Sequence, residues 1–144
     1  MYTIRILSRY EYSWITTENI HNLFSQLTDS TLLTQKEFET WYKEIHKSPY
    51  FVLFGITTNN TLVGIGSLWI EKKYYKGKSG HIEDIIIDKN HQNQGLGKKL
   101  ITFITNVAKK RGCYKVQLHC KPELQGFYEK LDFKNNTCSM QLYF

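Results

Sequence analysis

The sequence lacks the features of a membrane or secreted protein. Among its 144 residues no apolar run approaches the ~20 that a membrane helix needs. The first residues, MYTIRILSRYEYSW, have neither the apolar core nor the small-residue cleavage site of a secretory signal. Cysteine is scarce, and Cys113, Cys120 and Cys138 fit neither a zinc knuckle nor a disulfide framework. We therefore expect a soluble, cytoplasmic protein with reduced, buried or half-buried thiols.

No repeat, low-complexity tract or linker interrupts the chain, so we expect one domain over residues 1–144. The formal net charge of +6 would suit an anionic partner, such as a nucleic acid, an acidic membrane surface or a phosphorylated small molecule. The lysines are scattered, however, and the basic run Lys109–Arg111 lies where a helix should end and cations favour the helix dipole. We expect no nucleic acid and no membrane span among the interactions of this chain.

Hydrophobic spacing predicts an α/β protein with a mixed sheet. Thr17 and Thr34 are the predicted N-caps of two helices, and Asn59-Asn60 is typical of a hairpin turn. A longer helix begins at Gly95 and stops before Gly112. The predicted strands are 2–7, 50–57, 62–71, 82–87 and 115–120, with closing strands at 133 and 139–143, and the predicted helices are 17–27, 34–47, 95–110 and 123–131.

The most informative segment is Gly80–Gly97, an apolar strand followed by a polar loop and a glycine pair that opens a helix. Such a loop exposes backbone N–H groups at the positive end of a helix dipole, where a phosphate or pyrophosphate can bind. It lacks the Gly-x-Gly-x-x-Gly spacing of a dinucleotide fold and the Lys-Ser/Thr end of a P-loop, which disfavours a nicotinamide or nucleoside triphosphate. Because Glu83 and Asp84 can present carboxylates to a second substrate, the segment predicts a cofactor-dependent transferase.

Two motifs resemble those of the GNAT acetyltransferase superfamily. Gln92–Gly97 reads Gln-x-x-Gly-x-Gly, as in the acetyl-CoA loop of that family. Phe127–Phe133 resembles its second signature, Phe-Tyr-x-x-x-Gly-Phe, with Asp132 in place of the glycine; aspartate tolerates left-handed geometry better than most residues. Within the superfamily the likeness is greatest to the glucosamine-6-phosphate N-acetyltransferases, through Gly80–Ile85, Gly112–Lys115, Cys120 and Met140. The resemblance implies a GNAT fold, with a mixed central sheet flanked by helices.

The resemblance also implies how the chain would hold acetyl-CoA. The backbone of Ile85, Ile86 and Ile87 would pair with the pantetheine arm, and the Tyr128 hydroxyl would point at the thioester sulfur. The remaining cofactor-binding residues would cradle the pyrophosphate or lie beside Tyr128; they are Asn93, Gln94, Gly95, Leu96, Gly97, Lys98, Glu129 and Lys130.

For the acceptor, the resemblance implies glucosamine 6-phosphate, acetylated on the route to UDP-N-acetylglucosamine. Glu83 and Asp84 would contact the sugar. Thr28, Lys73 and Lys76 would assist them. Tyr114 and Lys115 match positions that reach the sugar phosphate from the other subunit of a homodimer.

Two positions depart from the family pattern. His119 stands where the compared enzymes carry a carboxylate, and Tyr143 stands where they carry an arginine that holds the sugar phosphate. A histidine can itself accept a proton, since an ordinary imidazole titrates at roughly pH 6.5. A tyrosine offers one neutral hydrogen bond instead of a bidentate cationic fork. We therefore expect acetyl transfer to persist, with phosphate affinity depending on Lys73, Lys76 and Lys115.

The residue types suit direct transfer without a metal or a covalent enzyme intermediate. An amine attacks a thioester only as the free base, so the site needs a proton acceptor; Glu83, Asp84, His119 and a strand carbonyl all qualify. Tyr128 can donate to the departing thiolate, and a backbone N–H of the opened strand can meet the tetrahedral oxyanion. His81, Glu83 and His119 lack the spacing of metal ligands.

Two alternatives stay open on the sequence. The first keeps the cofactor and changes the acceptor to another amino sugar, a polyamine or a protein amine. The second is a basic nucleic-acid-binding module, which would need clustered Lys/Arg and exposed aromatics on one face. The aromatic residues here mostly fall at core-periodic positions, which disfavours the second.

Overall fold

The structure, a computed structural model, describes residues 1–11 and 14–144. Its sheet contains the strands β1 (Thr3–Leu7), β2 (Phe51–Thr58), β3 (Thr61–Lys72), β4 (Lys78–Ile87) and β5 (Cys113–Gln117). They lie in the order β1-β2-β3-β4-β5. Neighbouring strands are antiparallel except β4 and β5, which are parallel. The predicted mixed sheet is confirmed.

The helices in the described part of the chain are α1 (Thr17–Phe24), α2 (Gln35–Ile45), α3 (Leu96–Lys110) and α4 (Gln125–Glu129). One face of the sheet carries a core shared with α1 and α2, which includes Leu23, Tyr42 and Ile65. The other face carries a core shared with α3, which includes Leu100 and Ile104. Helices therefore flank the sheet, as predicted. None of the helices within residues 1–11 and 14–144 has the length and apolar character needed to cross a bilayer.

Side-chain caps define where the first two helices begin. The Thr34 hydroxyl accepts from the backbone N–H of Glu37, and the Glu37 side chain returns to the Thr34 backbone, as the sequence predicts. The predicted cap of α1 is wrong by one residue. Thr16, not Thr17, caps it in a reciprocal pair with Asn19, because Thr16 is extended whereas Thr17 is helical and buried.

The hairpin and α3 follow the sequence pattern closely. Asn59 and Asn60 both have positive φ, 47° and 60°, which is the requirement of the tight turn that matches strand twist. Helix α3 buries Leu96, Leu100, Ile104 and Ala108 along one stripe, and also Ile101. Because this helix packs directly behind the sheet, the loop that enters it is anchored at the edge of the core.

The chain after α3 differs most from the prediction. β5 ends at Gln117 instead of Cys120, and Pro122–Leu124 forms a short 3₁₀ turn before α4, so the predicted helix 123–131 is shortened. The predicted closing strands do not form: residues 134–144 have no regular secondary structure. A strand needs a neighbouring edge for its hydrogen bonds, and in the single chain this segment stays exposed, with Met140, Leu142, Tyr143 and Phe144 all at least 79% accessible.

Candidate active site

The centre of the site is a gap between β4 and β5. The two strands pair only as far as His81 and Gln117. Beyond that point β4 continues to Ile87 against β3, while the chain after Gln117 turns away into the loop before α4. Among the described residues no strand pairs with the β5-facing edge of β4 from Ile82 to Ile87. Its backbone N–H and C=O groups are available to an extended ligand arm.

The gap forms a cavity of about 420 Å³. It brings together part of the predicted thioester and acceptor sites, with residues from β4, the loop after β5, and α4. Its lining includes Glu83, Asp84, Ile85, Ile86, Ile87, His119 and Tyr128. Two carboxylates, an imidazole and a phenol thus line one cavity, and all of these groups can accept or donate a proton.

A β-bulge presents Asp84 to the cavity. The β3–β4 register shifts between Ile65 and Ser67, and Asp84 adopts a left-handed conformation with φ of 53°. The buried Ser67 hydroxyl donates to the Glu83 carbonyl oxygen at 3.3 Å, which holds the bulged strand. Opposite the bulge lies Gly66, where an added Cβ would stand 2.6 Å from Ile85 Cδ1. The strained left-handed backbone therefore lies at a residue that the sequence predicts in the acceptor site.

The environment of Asp84 makes its carboxylate a stronger base. The cavity walls remove part of its water although the side chain still reaches solvent, and this desolvation raises the pKa of Asp84. The neighbouring negative charge of Glu83 raises it further. A carboxylate with a raised pKa is better matched to accepting a proton than an ordinary surface aspartate.

Tyr128 lines the cavity and is held by packing in the hydrophobic core. Its ring is 8% exposed and meets the rings of Phe127 and Phe133 at centroid distances of 5.0 and 5.8 Å. Desolvation raises the pKa of the Tyr128 phenol, and the Cys120 thiol adds to the effect. The hydroxyl therefore keeps its proton at neutral pH and can donate it. The backbone after Tyr128 closes with Asp132 at φ of 67°, the left-handed geometry expected there.

A second, larger groove of about 740 Å³ also reaches Tyr128. It is lined by Lys115 and Glu129 among others, and shares His119, Cys120 and Tyr128 with the smaller cavity. The smaller cavity is the better candidate for chemistry because Glu83 and Asp84, the predicted acceptor carboxylates, line it together with Tyr128. Tyr128 stands at the boundary between the two.

The loop before α3 has the conformation of an anion site. Asn93 and Gly95 have positive φ, 60° and 72°, and Gly95 begins α3 without a side-chain cap, in contrast to the capped α1 and α2. The first N–H groups of an α-helix have no intrahelical acceptor, so those of Leu96, Gly97 and Lys98 are available to a ligand. A Cβ added at Gly95 would meet nothing within 4 Å. Open space and uncapped amides fit the pyrophosphate of a coenzyme A.

The predicted phosphate-binding residues form a separate cluster. Lys76 Nζ and Lys115 Nζ lie 5.6 and 5.8 Å from the ring centre of Tyr114. Lys73 Nζ pairs with Glu71 at 2.6 Å, and this contact raises the pKa of Lys73. None of these residues lines the smaller cavity. Within one chain, the basic cluster and the carboxylates are not brought to the same cavity.

Other predicted residues lie at the margins. Thr28 is half-buried and follows Leu27, which lines the cavity. Its hydroxyl donates a hydrogen bond to the Ser30 hydroxyl oxygen at 2.9 Å. Lys130 lines neither cavity. The prediction that all three thiols are buried or half-buried is wrong for Cys120 and Cys138, which are exposed.

Sequence reasoning missed several cavity residues. Gln26, Leu27, Gln92, Leu118, Cys120 and Leu124 also line it. Gln26 has a structural role as well, because its Oε1 accepts from the Lys89 backbone N–H at 2.8 Å and so ties the end of α1 to the loop before α3. Leu27 was predicted on the buried stripe of a longer α1; no periodic signal marks it as a cavity residue.

Comparison with known proteins identifies the family of the chain. Residues 14–133 match the model of the Acetyltransferase (GNAT) family. A glucosamine 6-phosphate N-acetyltransferase of Arabidopsis thaliana is 36% identical over 127 residues, covering 85% of each chain. The same-named protein of Candida albicans is 38% identical over 118 residues, covering 79% of each.

A solved structure agrees as well. The crystal structure of glucosamine-6-phosphate N-acetyltransferase from Arabidopsis thaliana superposes with a TM-score of 0.89 at 34% identity, covering 100% of this chain and 99% of that one. Fold, site and sequence lead to one conclusion: the chain belongs to the GNAT family of acetyltransferases, in the group that contains the glucosamine 6-phosphate N-acetyltransferases.

Proposed function

We propose that this chain transfers the acetyl group of acetyl-CoA to the amine of glucosamine 6-phosphate. The observation that carries the proposal is the cavity between β4 and β5, where the carboxylate of Asp84 and the hydroxyl of Tyr128 line the same space. The names of the relatives from Arabidopsis thaliana and Candida albicans support this acceptor over other amines.

Cofactor binding uses three parts of the chain. The uncapped N-terminus of α3, with Asn93, Gln94 and Gly95 before it, holds the pyrophosphate, and the free edge Ile85–Ile87 pairs with the amides of the pantetheine arm. Glu129, the last residue of α4, lines the larger groove and would lie near the cofactor, whereas Lys130, which follows it, lines neither cavity. Bound there, acetyl-CoA supplies an activated acyl group as a thioester.

Asp84 and Tyr128 accept and donate the protons of the reaction. Asp84, whose pKa is raised by desolvation and Glu83, takes the proton that the acceptor amine must lose. Tyr128, whose pKa is also raised, remains protonated and donates to the leaving thiolate. A backbone N–H of the free β4 edge meets the developing oxyanion. Glu83 and His119 flank the amine from the two sides of the gap.

The acceptor phosphate binds the basic cluster of Lys76, Tyr114 and Lys115, with Lys73 nearby. Because none of these residues lines the smaller cavity of its own chain, Tyr114 and Lys115 would reach the phosphate from a second subunit. We therefore propose a homodimer. The exposed apolar segment 138–144, with Leu142 79% and Phe144 114% accessible, supports the proposal because such a segment is expected to be covered in the assembled protein.

We also propose that the protein is cytoplasmic and that the chain forms one domain. The free thiols Cys113, Cys120 and Cys138 suit a reducing compartment, which supports the cytoplasm. The sheet draws its strands from Thr3 to Gln117, and α4 closes the cavity after it. This supports one acetyltransferase domain over residues 1–144 that acts on a small molecule.

Incubation of the protein with acetyl-CoA and glucosamine 6-phosphate tests the function, with the product followed by mass. An increase of one acetyl group on the sugar phosphate, dependent on the protein, is expected. Acetylation of a polyamine or peptide amine in preference to the sugar would support the other acceptors.

A further inference from the structure

The pyrophosphate loop is tied to the start of the chain by one side chain. The Tyr2 hydroxyl lies 2.9 Å from Oε1 of Gln94 and 3.0 Å from Nδ1 of His91. The rings of Tyr2 and His91 also meet edge to face, with centroids 5.8 Å apart. Residues that lie 89 and 92 positions apart in the sequence thus form polar contacts beside the predicted anion site.

The direction of these hydrogen bonds follows from the chemistry of the hydroxyl. Tyr2 has one hydroxyl hydrogen and donates it to Gln94 Oε1. The contact with His91 must then run the other way, with an Nδ1–H donating to the Tyr2 oxygen. Because the amide oxygen of Gln94 is occupied, the group that its side chain can offer to an anion is the NH₂.

Tyr2 is itself well anchored. Its half-buried ring packs against the core cluster that contains Leu96 and Leu100 of α3. The hydroxyl therefore has a fixed position relative to the helix whose N-terminus would receive the phosphates. A positioning group is effective when its own side chain is held by packing.

Other contacts hold the beginning of the loop, and Tyr2 holds its end. The Lys89 backbone N–H donates to Gln26, and Gln92 Nε2 donates to the Ile87 carbonyl at 3.0 Å. Gln94 immediately precedes Gly95, which enters α3 with φ of 72°. Tyr2 therefore contacts the residue that precedes Gly95, the N-cap of the helix whose first amides are uncapped.

We propose that Tyr2 is a positioning residue for the diphosphate of coenzyme A, acting through Gln94. It holds the loop in its binding conformation before the ligand arrives, so that binding does not have to order the loop. The inference rests on the proposed use of acetyl-CoA. The acceptor amine plays no part in it.

Calorimetric titration with coenzyme A provides the first test. Tyr2→Phe keeps the ring and removes the hydroxyl, so we expect coenzyme A to bind about three- to tenfold more weakly, the cost of one hydrogen-bond link. Turnover at saturating acetyl-CoA should stay unchanged while KM rises. Tyr10→Phe, which alters an exposed tyrosine of the same terminal segment, is the matched control and should bind as the wild type. Measured melting temperatures close to that of the wild type would establish that both variants are folded.

A double-mutant cycle with Gln94→Ala separates positioning from a general structural role. If Tyr2 acts through Gln94, adding Tyr2→Phe to Gln94→Ala causes no further loss of affinity. Acetyl-pantetheine, which lacks the diphosphate, should be used equally well by wild type and Tyr2→Phe. Unchanged coenzyme A affinity in Tyr2→Phe, or an equal loss in both backgrounds, would overturn the role of Tyr2. Failure of the wild type to bind coenzyme A would instead overturn the proposed function, and the inference with it.

Discussion

His81 on β4 and Gln117 on β5 form the last pair at which these two strands remain side by side. Their side chains also meet, with Gln117 Nε2 3.1 Å from His81 Nδ1. One residue further along each strand, at Ile82 and Leu118, the cavity begins. The pair therefore marks where a continuous sheet becomes a binding site.

Replacing Tyr128 with phenylalanine should lower kcat by about 100-fold, because the departing thiolate loses its proton donor. The affinity for coenzyme A, measured by titration, should change little, since the ring contacts with Phe127 and Phe133 are kept. Tyr50→Phe, which alters a half-buried tyrosine outside the cavity, is the control. Undiminished turnover in Tyr128→Phe would remove this hydroxyl from the mechanism.

Replacing Asp84 with asparagine should stabilise the protein while inactivating it. Since folding raises the pKa of Asp84 above its ordinary value of 3.8, the folded state binds this proton more tightly than the unfolded state. Stability from this group is thus lost as pH rises through the folded pKa, and it is regained at lower pH. We expect Asp84→Asn to melt at a higher temperature at pH 7. Its free energy of unfolding should increase by less than about 1 kcal/mol, because the carboxylate reaches solvent.

The stability gain of Asp84→Asn should shrink as the pH falls towards 4. At pH 7 kcat should fall about 100-fold, and this deficit should also shrink at lower pH, where the wild-type carboxylate becomes protonated and can no longer accept a proton. Asp29→Asn, an exposed aspartate elsewhere, is the matched control. A variant that melts lower than the wild type at pH 7 would contradict the raised pKa of Asp84, and one that retains turnover would contradict its role as the base.

Placing a tryptophan at Gly97 should abolish coenzyme A binding, because its side chain would project from the first turn of α3. Gly97→Ala should fold normally, since its Cβ meets only ordinary contacts, the nearest being Phe127 Cζ at 3.4 Å. Titration with coenzyme A, together with melting curves, distinguishes a blocked site from a damaged fold. Tight binding by a folded Gly97→Trp would place the pyrophosphate elsewhere.

A charge in the C-terminal segment should weaken the proposed dimer. We expect Leu142→Asp to raise the dimer dissociation constant at least tenfold, because a buried unpaired carboxylate is costly at an interface. Gln141→Asp, at the adjacent exposed polar position, is the control. Sedimentation velocity at micromolar concentration measures both, and a monomeric wild type would exclude the homodimer.

Much of the fold could be predicted because local signals decided it. The capping box at Thr34, the turn at Asn59-Asn60 and the stripe of α3 each depend on residues close in sequence, and each is confirmed. The cap of α1 was misplaced because Thr16 and Thr17 are both suitable cap residues by type, and only the structure shows that Thr16 is extended and pairs with Asn19 while Thr17 is helical and buried.

The rest depends on contacts that the sequence does not display. The segment 139–143 has the alternation of a strand, but the pattern does not say which edge would receive it. Likewise the gap that starts after Gln117 results from how two strands diverge, and the link from Tyr2 to Gln94 joins residues 92 positions apart. Resemblance to a family identified the chemistry of Tyr128 and Asp84, whereas only the structure shows that they line one cavity.

The most direct test is the rate of thiol release from acetyl-CoA with glucosamine 6-phosphate, compared with glucosamine under the same conditions. Release that requires the phosphate is the predicted result, and would show that lysines near Tyr114 replace the arginine whose place Tyr143 takes. Release with neither sugar, while titration shows that coenzyme A binds, would contradict the proposed acceptor and direct the search to other amines.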